Sequence, residues 1–567
     1  MNISRRSFIA TGAKSALAVT LLRSVVPASA LSQAAALQPV FKRLDEFITR
    51  HMQETGAPGM TLALANRDGL IRASTYGYRD VKANLKVIPD TMFEIGSVSK
   101  SFVGFLLMQL HDEGKLDLNK PIVEYLPWIK INSKFEAINT HHVLSHTAGL
   151  PGAPLLLDAL LAELWTAYAP GKRFLYSNTG YNILGFLIEA IDKRPFADSM
   201  RARMLEPMGM TASSPIITNG LRPRMAVGYE PIGEGKPYPA LYPLAEAQWL
   251  EVDIAAGSIA STPADMGKYM RMLLNRGKLP KGRLLSEEGF ALFVKPAIES
   301  PYRGEPASYG YGLWVSDMAG HTRLRHTGGM VAFSSSIDVD LTGAVGAFAS
   351  VNANLRGYRP VAVTRYAIDL LNASLDGKPL PDPPAAPPSP FEIKNAADYA
   401  GIYTTPEGKK LELIAEGTSL FFMRGGRKVG IERSGGGDRF IVHHPDFELF
   451  LLGFARENQQ VTQAFYGPDW YIGEKYKGPK TFDTRKDWEG FVGHYYNDSA
   501  WYGDTRIVLR KGQLFADGLQ ALIPRGDGKF GLGDPEAPDW ISFESIVDGR
   551  AMRMSLSGIP FRRSFTP

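Results

Sequence analysis

A serine three residues ahead of a lysine, Ser97-Val98-Ser99-Lys100, opens an apolar run at residues 101–110. On a helix that spacing puts both side chains on one face, so Lys100 can reach the Ser97 hydroxyl. A serine hydroxyl is a poor nucleophile until a base takes its proton. A lysine serves as that base when desolvation or a cationic neighbour lowers its pKa. A helix N-terminus favours negative charge developing on the same oxygen. Alone, an S-x-x-K string recurs by chance about once or twice in a chain of this length. Two further strings supply the rest of a nucleophilic site. Tyr176-Ser177-Asn178 precedes a helical pattern, with Asn178 or Thr179 as candidate cap of a helix starting near Tyr181. His326-Thr327-Gly328-Gly329 joins a short strand at 323–325 to a strand beginning at Ser334. The 567 residues contain no cysteine, which removes thiolate chemistry, disulfides and thiolate metal sites together.

The elements that must position these residues read as one α+β unit. Residues 41–53 have helical periodicity, with Phe41, Leu44, Phe47, Ile48 and Met52 on one face. Strands at 60–64 and 71–78 flank the turn cluster Asn66-Arg67-Asp68-Gly69. Helices follow at 101–110 and 181–191, and a third begins with Thr262 as N-cap and Pro263 at its first position. Strands return at 313–315, 334–339 and 345–351, before a last helix at 361–371. Strands at both ends with helices between predict a sheet closed by pairing the two ends.

Composition then shifts. Seven prolines between Pro379 and Pro390 make a stiff linker, assigned to residues 376–390. Beyond it, short strands and turns predict β-barrels or sandwiches, with strands at 410–414, 419–423, 429–433, 439–442, 447–454 and 461–466. Tyr399-Ala400-Gly401-Ile402-Tyr403 is echoed by Phe491-Val492-Gly493-His494-Tyr495, and Leu420-Phe421 by Leu514-Phe515. The echo predicts two tandem β units, 391–484 and 485–567. Phe421, Phe422, Phe440, Phe450, Phe454 and Phe465 are expected as barrel core. At the other end, Ser4-Arg5-Arg6-Ser7-Phe8-Ile9, the apolar stretch 16–22 and Ala28-Ser29-Ala30 resemble a twin-arginine export signal over residues 1–30. The expected location is periplasmic or secreted, with the first domain at 31–375.

A net charge of +5 spread over this length leaves no nucleic-acid footprint. No run reaches the ~18 apolar residues of a membrane span. There is no G-x-S-x-G, H-E-x-x-H, Walker A or EF-hand string. His141-His142 and His443-His444, read as strand pairs, would point to opposite faces, so no metal is expected. No cofactor is implied.

The ordered set S-x-x-K, Y-x-N and H-T-G-G resembles the penicillin-recognising serine hydrolases, which include class C β-lactamases, D-Ala-D-Ala carboxypeptidases, D-aminopeptidases and related esterases. Thr91–Gly96, His142–Pro151, Pro207–Met210, Ala256–Ser261 and Tyr311–Trp314 are similar to stretches of that family, and the resemblance covers about residues 40–372. It implies a β-lactamase/transpeptidase-like α/β sandwich around a central antiparallel sheet. It also implies that the tail forms two small, lipocalin-like antiparallel barrels. By the same resemblance Ser97 is the nucleophile, Lys100 its activator and Tyr176 the proton shuttle. Asn178 matches the residue that bonds the substrate amide. The backbone N–H groups of Ser97 and Gly329 fall where the family builds its oxyanion hole, and His326, Thr327 and Gly328 line the same strand.

One departure bears on substrate. β-Lactamases usually carry lysine where this chain has His326, a version found in some D-Ala-D-Ala carboxypeptidases and D-aminopeptidases. Histidine, unlike lysine, is mostly neutral near pH 7.5. If the neutral form is required, activity is expected to fall below about pH 6. The expected substrates are therefore small D-amino-acid peptides or amides first, esters second and β-lactams third. Two readings of other kinds stay open: a non-hydrolytic sensor of cell-wall fragments, and a role defined by the tail binding a polymer or partner. Neither oligomeric state nor the tail's ligand is legible.

Overall fold

The computed structural model describes residues 37–152, 164–232, 235–240, 242–355, 358–526 and 528–564. The export segment, residues 1–30, lies outside them. Helix α1, Gln38–Thr55, buries Val40, Leu44, Phe47, Ile48 and Met52 along one face and ends at Gly56, in the left-handed region at φ 72°. Strands β1 (Gly59–Asn66) and β2 (Leu70–Asp80) form the expected hairpin. Its turn is set by Asn66, whose Oδ1 accepts the N–H groups of Asp68 and Gly69.

Nine antiparallel strands form the main sheet. From one edge they run Ile298–Glu299, Ser308–Tyr309, β3 (Trp314–Met318), β4 (His321–Gly329), β5 (Ser334–Asp340), β6 (Val345–Val351), β1, β2 and Leu85–Lys86. β1 pairs with β6 from Met60↔Val351 to Asn66↔Val345, so the two ends of the domain do close one sheet. This sheet is covered on both faces, and the composition of β1 follows from that. Ala63 and Ala65 enter one core while Met60, Leu62 and Leu64 enter the other. α1 and α5 (Val361–Leu375) cover the second core, with Phe47 and Tyr366 edge to face at 5.0 Å. The first core holds α2 (Ser99–Asp112), α3 (Asn178–Asp192) and α4 (Pro263–Leu274). Every residue of α2 from Ser99 to Leu110 is buried. Each buried Leu or Phe there contributes about 1.5–3 kcal/mol.

The proline-rich segment is fastened down along its length. Arg43 donates to the carbonyls of Leu380 and Pro381, Tyr366 to that of Pro381, and Arg50 to that of Pro384. After it, two eight-stranded sheets each close into a barrel. Gly401–Thr404 pairs with Asp469–Gly473 in the first, and Gly493–Tyr496 with Ile559–Ser564 in the second, leaving no free sheet edge. The sequence echo has a structural counterpart. Tyr403 donates to the carbonyl of Tyr399, and Tyr495 to that of Phe491, four residues back in both units.

Three expectations change. Residues 447–454 do not form one strand. Pro445 and the bond from Asp446 N–H to His444 Nδ1 turn the chain into a short helix at Pro445–Phe447, and the strand begins at Leu452. Phe422, Phe440, Phe450 and Phe454 are core, but Phe421 and Phe465 are not, because alternate residues of a strand face outward. Phe465 instead meets Arg510 of the second barrel, whose guanidinium is 4.4 Å from its ring and 4.2 Å from Phe515. His141 and His142 lie on a helix, Thr140–Leu144, not a strand. Their Nδ1 atoms are occupied by the Tyr311 hydroxyl and the Asn139 N–H, and the described residues hold no metal-binding cluster.

Candidate active site

Gly96, Ser97 and Val98 form a single helical turn that runs into α2. This turn is pinned from two sides. Ile95 N–H donates to Ile259 O and Ile259 N–H to Ser99 Oγ, which fixes the 256–261 stretch beside the nucleophile. On the other side, Gly96 has φ 53° and its backbone presses on the end of β4. A Cβ there would stand 2.7 Å from Gly329 N. Gly328 is equally constrained, since a Cβ on it would lie 2.0 Å from Ile95 O.

α3 begins earlier than its sequence predicts. Its N-cap is Ser177, whose Oγ accepts the Gly180 N–H and donates to Pro151 O. With capping done by Ser177, Asn178 is left to face Lys100. Asn182, one turn on, accepts the Ala256 N–H and so holds the residue whose carbonyl meets Lys100. Two asparagines four residues apart on one face of α3 thus sit against Lys100 and against the residue that offers it a carbonyl.

Lys100 is fully buried, and its Nζ makes three contacts: Asn178 Oδ1 at 2.8 Å, Ala256 O at 2.8 Å and Ser97 Oγ at 3.0 Å. Burial drives its pKa well below the ordinary lysine value. A neutral amine has two N–H bonds and one lone pair. Both carbonyl oxygens accept only, so they take the two N–H bonds and leave the lone pair aimed at the Ser97 hydroxyl. That is the geometry a base needs to act on a nucleophile. Tyr176 is buried, hydrogen-bonds Ser97, and is held as a phenol because burial raises its pKa. Its ring lies tilted by 37° against His146 at 4.3 Å and parallel to Trp314 at 6.2 Å. His146, at φ 57°, accepts the Ser177 N–H on Nδ1 and so ties the tyrosine's segment to the helix cap.

The end of β4 is built as an open acceptor for negative charge. Its partner on one side, β3, stops at Trp314↔Arg325. On the other side Met330 N–H bonds Phe333 O, so antiparallel alternation turns the Gly329 N–H away from β5, toward residues 96–97. A substrate carbonyl attacked by Ser97 would meet that donor.

His326 behaves differently from its sequence expectation. Its Nδ1 lies 2.7 Å from Thr327 O and must donate, so Nε2 faces the Tyr309 hydroxyl at 3.2 Å as an acceptor. Burial pushes its pKa down to about 3, and a proton on Lys100 would push it the same way. The ring is therefore neutral throughout the working range, and the loss of activity expected below about pH 6 has no origin in this residue. It is an aromatic neighbour of Tyr176, at 6.2 Å, rather than a titrating switch.

The structure thus brings Ser97, Lys100, Tyr176 and Asn178 together, with His326, Thr327, Gly328 and Gly329 on the adjoining strand. Sequence reasoning missed Ala256 O, Asn182, His146 and Tyr309. His146 and Ala256 lie in stretches similar to the family but carried no assigned role, and the Asn178–Asn182 spacing was a further readable signal. Three residues ahead of Ser97, buried Glu94 has its carboxyl pushed up to about 8 by burial. An acid with a raised folded-state pKa binds more protons when folded, so stability falls as pH rises from about 4.5 to 8. Glu94→Gln is expected to melt with wild type at pH 5 and above it at pH 8. Equal melting temperatures at both pH values would refute the assignment.

A profile of the Beta-lactamase family matches residues 44–371. Protein flp of Staphylococcus aureus strain N315 is 29% identical over 204 residues, 33% of this chain. That match spans 41% of the flp protein's own length, less than half of it. The teichoic acid D-alanine hydrolase of Staphylococcus aureus strain MRSA252 is 27% identical over 291 residues, 49% of this chain and 66% of that protein. The octameric penicillin-binding protein homologue from Pyrococcus abyssi shares the fold, with a TM-score of 0.55 at 23% identity, over 76% of this chain and 99% of its own. With the profile covering more than half of its length, the chain belongs to the Beta-lactamase family, a family of serine hydrolases.

Proposed function

We propose that this protein cleaves amide bonds in small substrates containing D-amino acids, as D-aminopeptidases and D-Ala-D-Ala carboxypeptidases do, through an acyl group on Ser97. The observation that carries the reading is the Lys100 amine, bound by two carbonyl oxygens and facing the Ser97 hydroxyl. Lys100 takes the Ser97 proton as Oγ attacks the carbonyl, and the oxyanion sits on the Ser97 and Gly329 N–H groups. Tyr176 hands a proton to the departing amine and is resupplied from the Lys100 ammonium. Water, deprotonated by the same pair, then releases the acyl group. Similarity to a protein named for hydrolysing D-alanine supports the D-amino-acid part. The neutral His326 supports placing β-lactams last.

The second barrel supports small substrates. Pro538 O accepts the Trp165 indole N–H at 2.9 Å, and Asp539 accepts the Gly152 N–H at 3.3 Å. Gly152 in turn backs onto Tyr176, whose carbonyl would be 3.4 Å from a Cβ there. We propose too that residues 1–30 export the protein beyond the inner membrane. The test is a turnover panel on protein recovered from the periplasmic fraction: a D-Ala-terminated peptide, a D-amino-acid amide, a chromogenic cephalosporin and a short aryl ester. The D-amino-acid amide or peptide should be turned over at least ~10-fold faster, in kcat/KM, than the cephalosporin. A preference for the cephalosporin, or recovery of an Arg5→Lys, Arg6→Lys variant in the same fraction, would refute the respective reading.

A further inference from the structure

Beside the turn that follows Gly329 lies a recessed cavity of about 90 Å³, and neither Ser97, Lys100, Tyr176 nor Asn178 lines it. Its walls are segments 225–228, 246–250 and 331–333, with Glu94 from the strand before the nucleophile and Trp501 from the second barrel. Since a cavity of roughly 150 Å³ holds benzene, this one takes about four non-hydrogen atoms. Glu94 is its one buried acid. The other buried acids, Asp265, Asp338, Asp340 and Glu432, all meet donors: Ala212 N–H, the Arg323 guanidinium, Gly343 N–H and Ala240 N–H respectively. Among the described residues none hydrogen-bonds the Glu94 carboxyl, and burial is the only cause of its raised pKa. The side chain keeps 9% of its surface accessible, and it is a wall of this cavity. The other charged groups at the walls, Arg222 and Glu246, are both exposed, and Arg222 lies over the Trp249 ring at 5.6 Å. What remains is apolar or aromatic, including Phe333, Trp249 and Trp501. A buried carboxyl without a partner is costly, and a cation with N–H groups relieves that cost through charge-assisted hydrogen bonds. Aromatic walls favour the same charge. A metal ion lacks a ligand set here, since the described residues hold no metal-binding cluster.

We infer that this cavity is a second ligand site, for a small primary ammonium ion whose N–H groups donate to the Glu94 carboxylate and whose short carbon chain packs against the apolar walls. The site is separate from acyl transfer and does not depend on that reading. Its pH dependence follows from the acid. With the Glu94 pKa at about 8, the carboxyl is mostly protonated at pH 6 and must give up its proton to pair with the ammonium. Affinity therefore rises with pH up to about 8 and levels off above it.

The test is calorimetry on the full chain with n-propylammonium and with 1-propanol, which match in size and shape and differ in charge. Wild type should bind propylammonium saturably, with a Kd of about 1 mM or tighter at pH 8. The affinity should be about 50-fold weaker at pH 6, where little of the acid is ionised. 1-Propanol should bind at least ~10-fold more weakly than propylammonium at pH 8, with no dependence on pH. Glu94→Gln keeps the shape and removes the charge, and should bring propylammonium down to the level of the alcohol at both pH values. Ser97→Ala should bind propylammonium as wild type does. The wild-type comparisons stand without any variant. Equal binding of the alcohol, affinity that does not fall toward pH 6, or no saturable binding would each overturn the inference. So would propylammonium binding that survives unchanged in Glu94→Gln. Loss of binding in Ser97→Ala would place the ammonium in the substrate groove and overturn the assignment of a separate site.

Discussion

Ser97→Ala is expected to fold as wild type does and to take no label from a mechanism-based acylating probe. Wild type should gain the mass of one acyl group, localised to Ser97. Hydrolysis of any substrate in the panel should fall by about 10⁴-fold or more, because nucleophile and base act as one unit. No thiol can substitute, since the chain has no cysteine. Neighbouring serines are committed elsewhere: Ser99 accepts the Ile259 N–H, Ser335 donates to Ile95 O, and Ser101 donates to Val98 O. None of them has an amine on its oxygen. Label that persists in the variant would end the assignment of Ser97 and with it the acyl-transfer reading.

Removing the base should cost nearly as much, and its pH signature is the more discriminating result. Lys100→Met should lower the acylation rate by about 10²–10⁴-fold, with Tyr176→Phe in the same range. In wild type the competent form is the neutral amine. Burial lowers the lysine pKa, so the neutral form persists at pH values where a surface lysine is charged. Activity is lost only as pH falls through that depressed value and the amine takes a proton. The acid limb of kcat/KM therefore belongs to Lys100. His326, with its pKa near 3, contributes nothing to it. His326→Gln should leave the position of the limb unchanged even if the rate drops. A limb that moves or vanishes in His326→Gln would show the imidazole titrating and would overturn this account.

Much of the site was legible as strings because the chemistry is local there. Ser97 and Lys100 are held on one face by helix geometry alone, and a three-residue spacing states that face in any context. The sheet was legible in outline for a related reason. The apolar runs at 60–64 and 345–351 are too continuous for a half-exposed strand, and a sheet covered on both faces is where such runs belong. The barrel repeat survived as two tyrosines that make the same bond four residues back. Where reading failed, a tertiary partner had intervened. Ser177 rather than Asn178 caps α3 because Pro151, far away in sequence, offers its carbonyl to the same hydroxyl. The second face of alternate barrel residues put Phe465 on Arg510 instead of in the core.

By itself the sequence determined which groups are available for the proposed catalysis: a serine, a lysine and a tyrosine, with no thiol. It also determined the order of units, because proline content and strand spacing are properties of short windows. Only the tertiary structure decided which ionisable groups are buried, and burial is what shifts them. Lys100 is suited to act as a base because the fold removes it from water and sets it against carbonyls of residues 78 and 156 positions away. His326 is neutral for the same physical reason, the cost of holding charge in a buried place. Arg359, whose guanidinium lies against Gly329, was marked by no motif. Its position against Gly329 follows from the pairing of β4, β5 and β6, which brings the chain after β6 back to the end of β4.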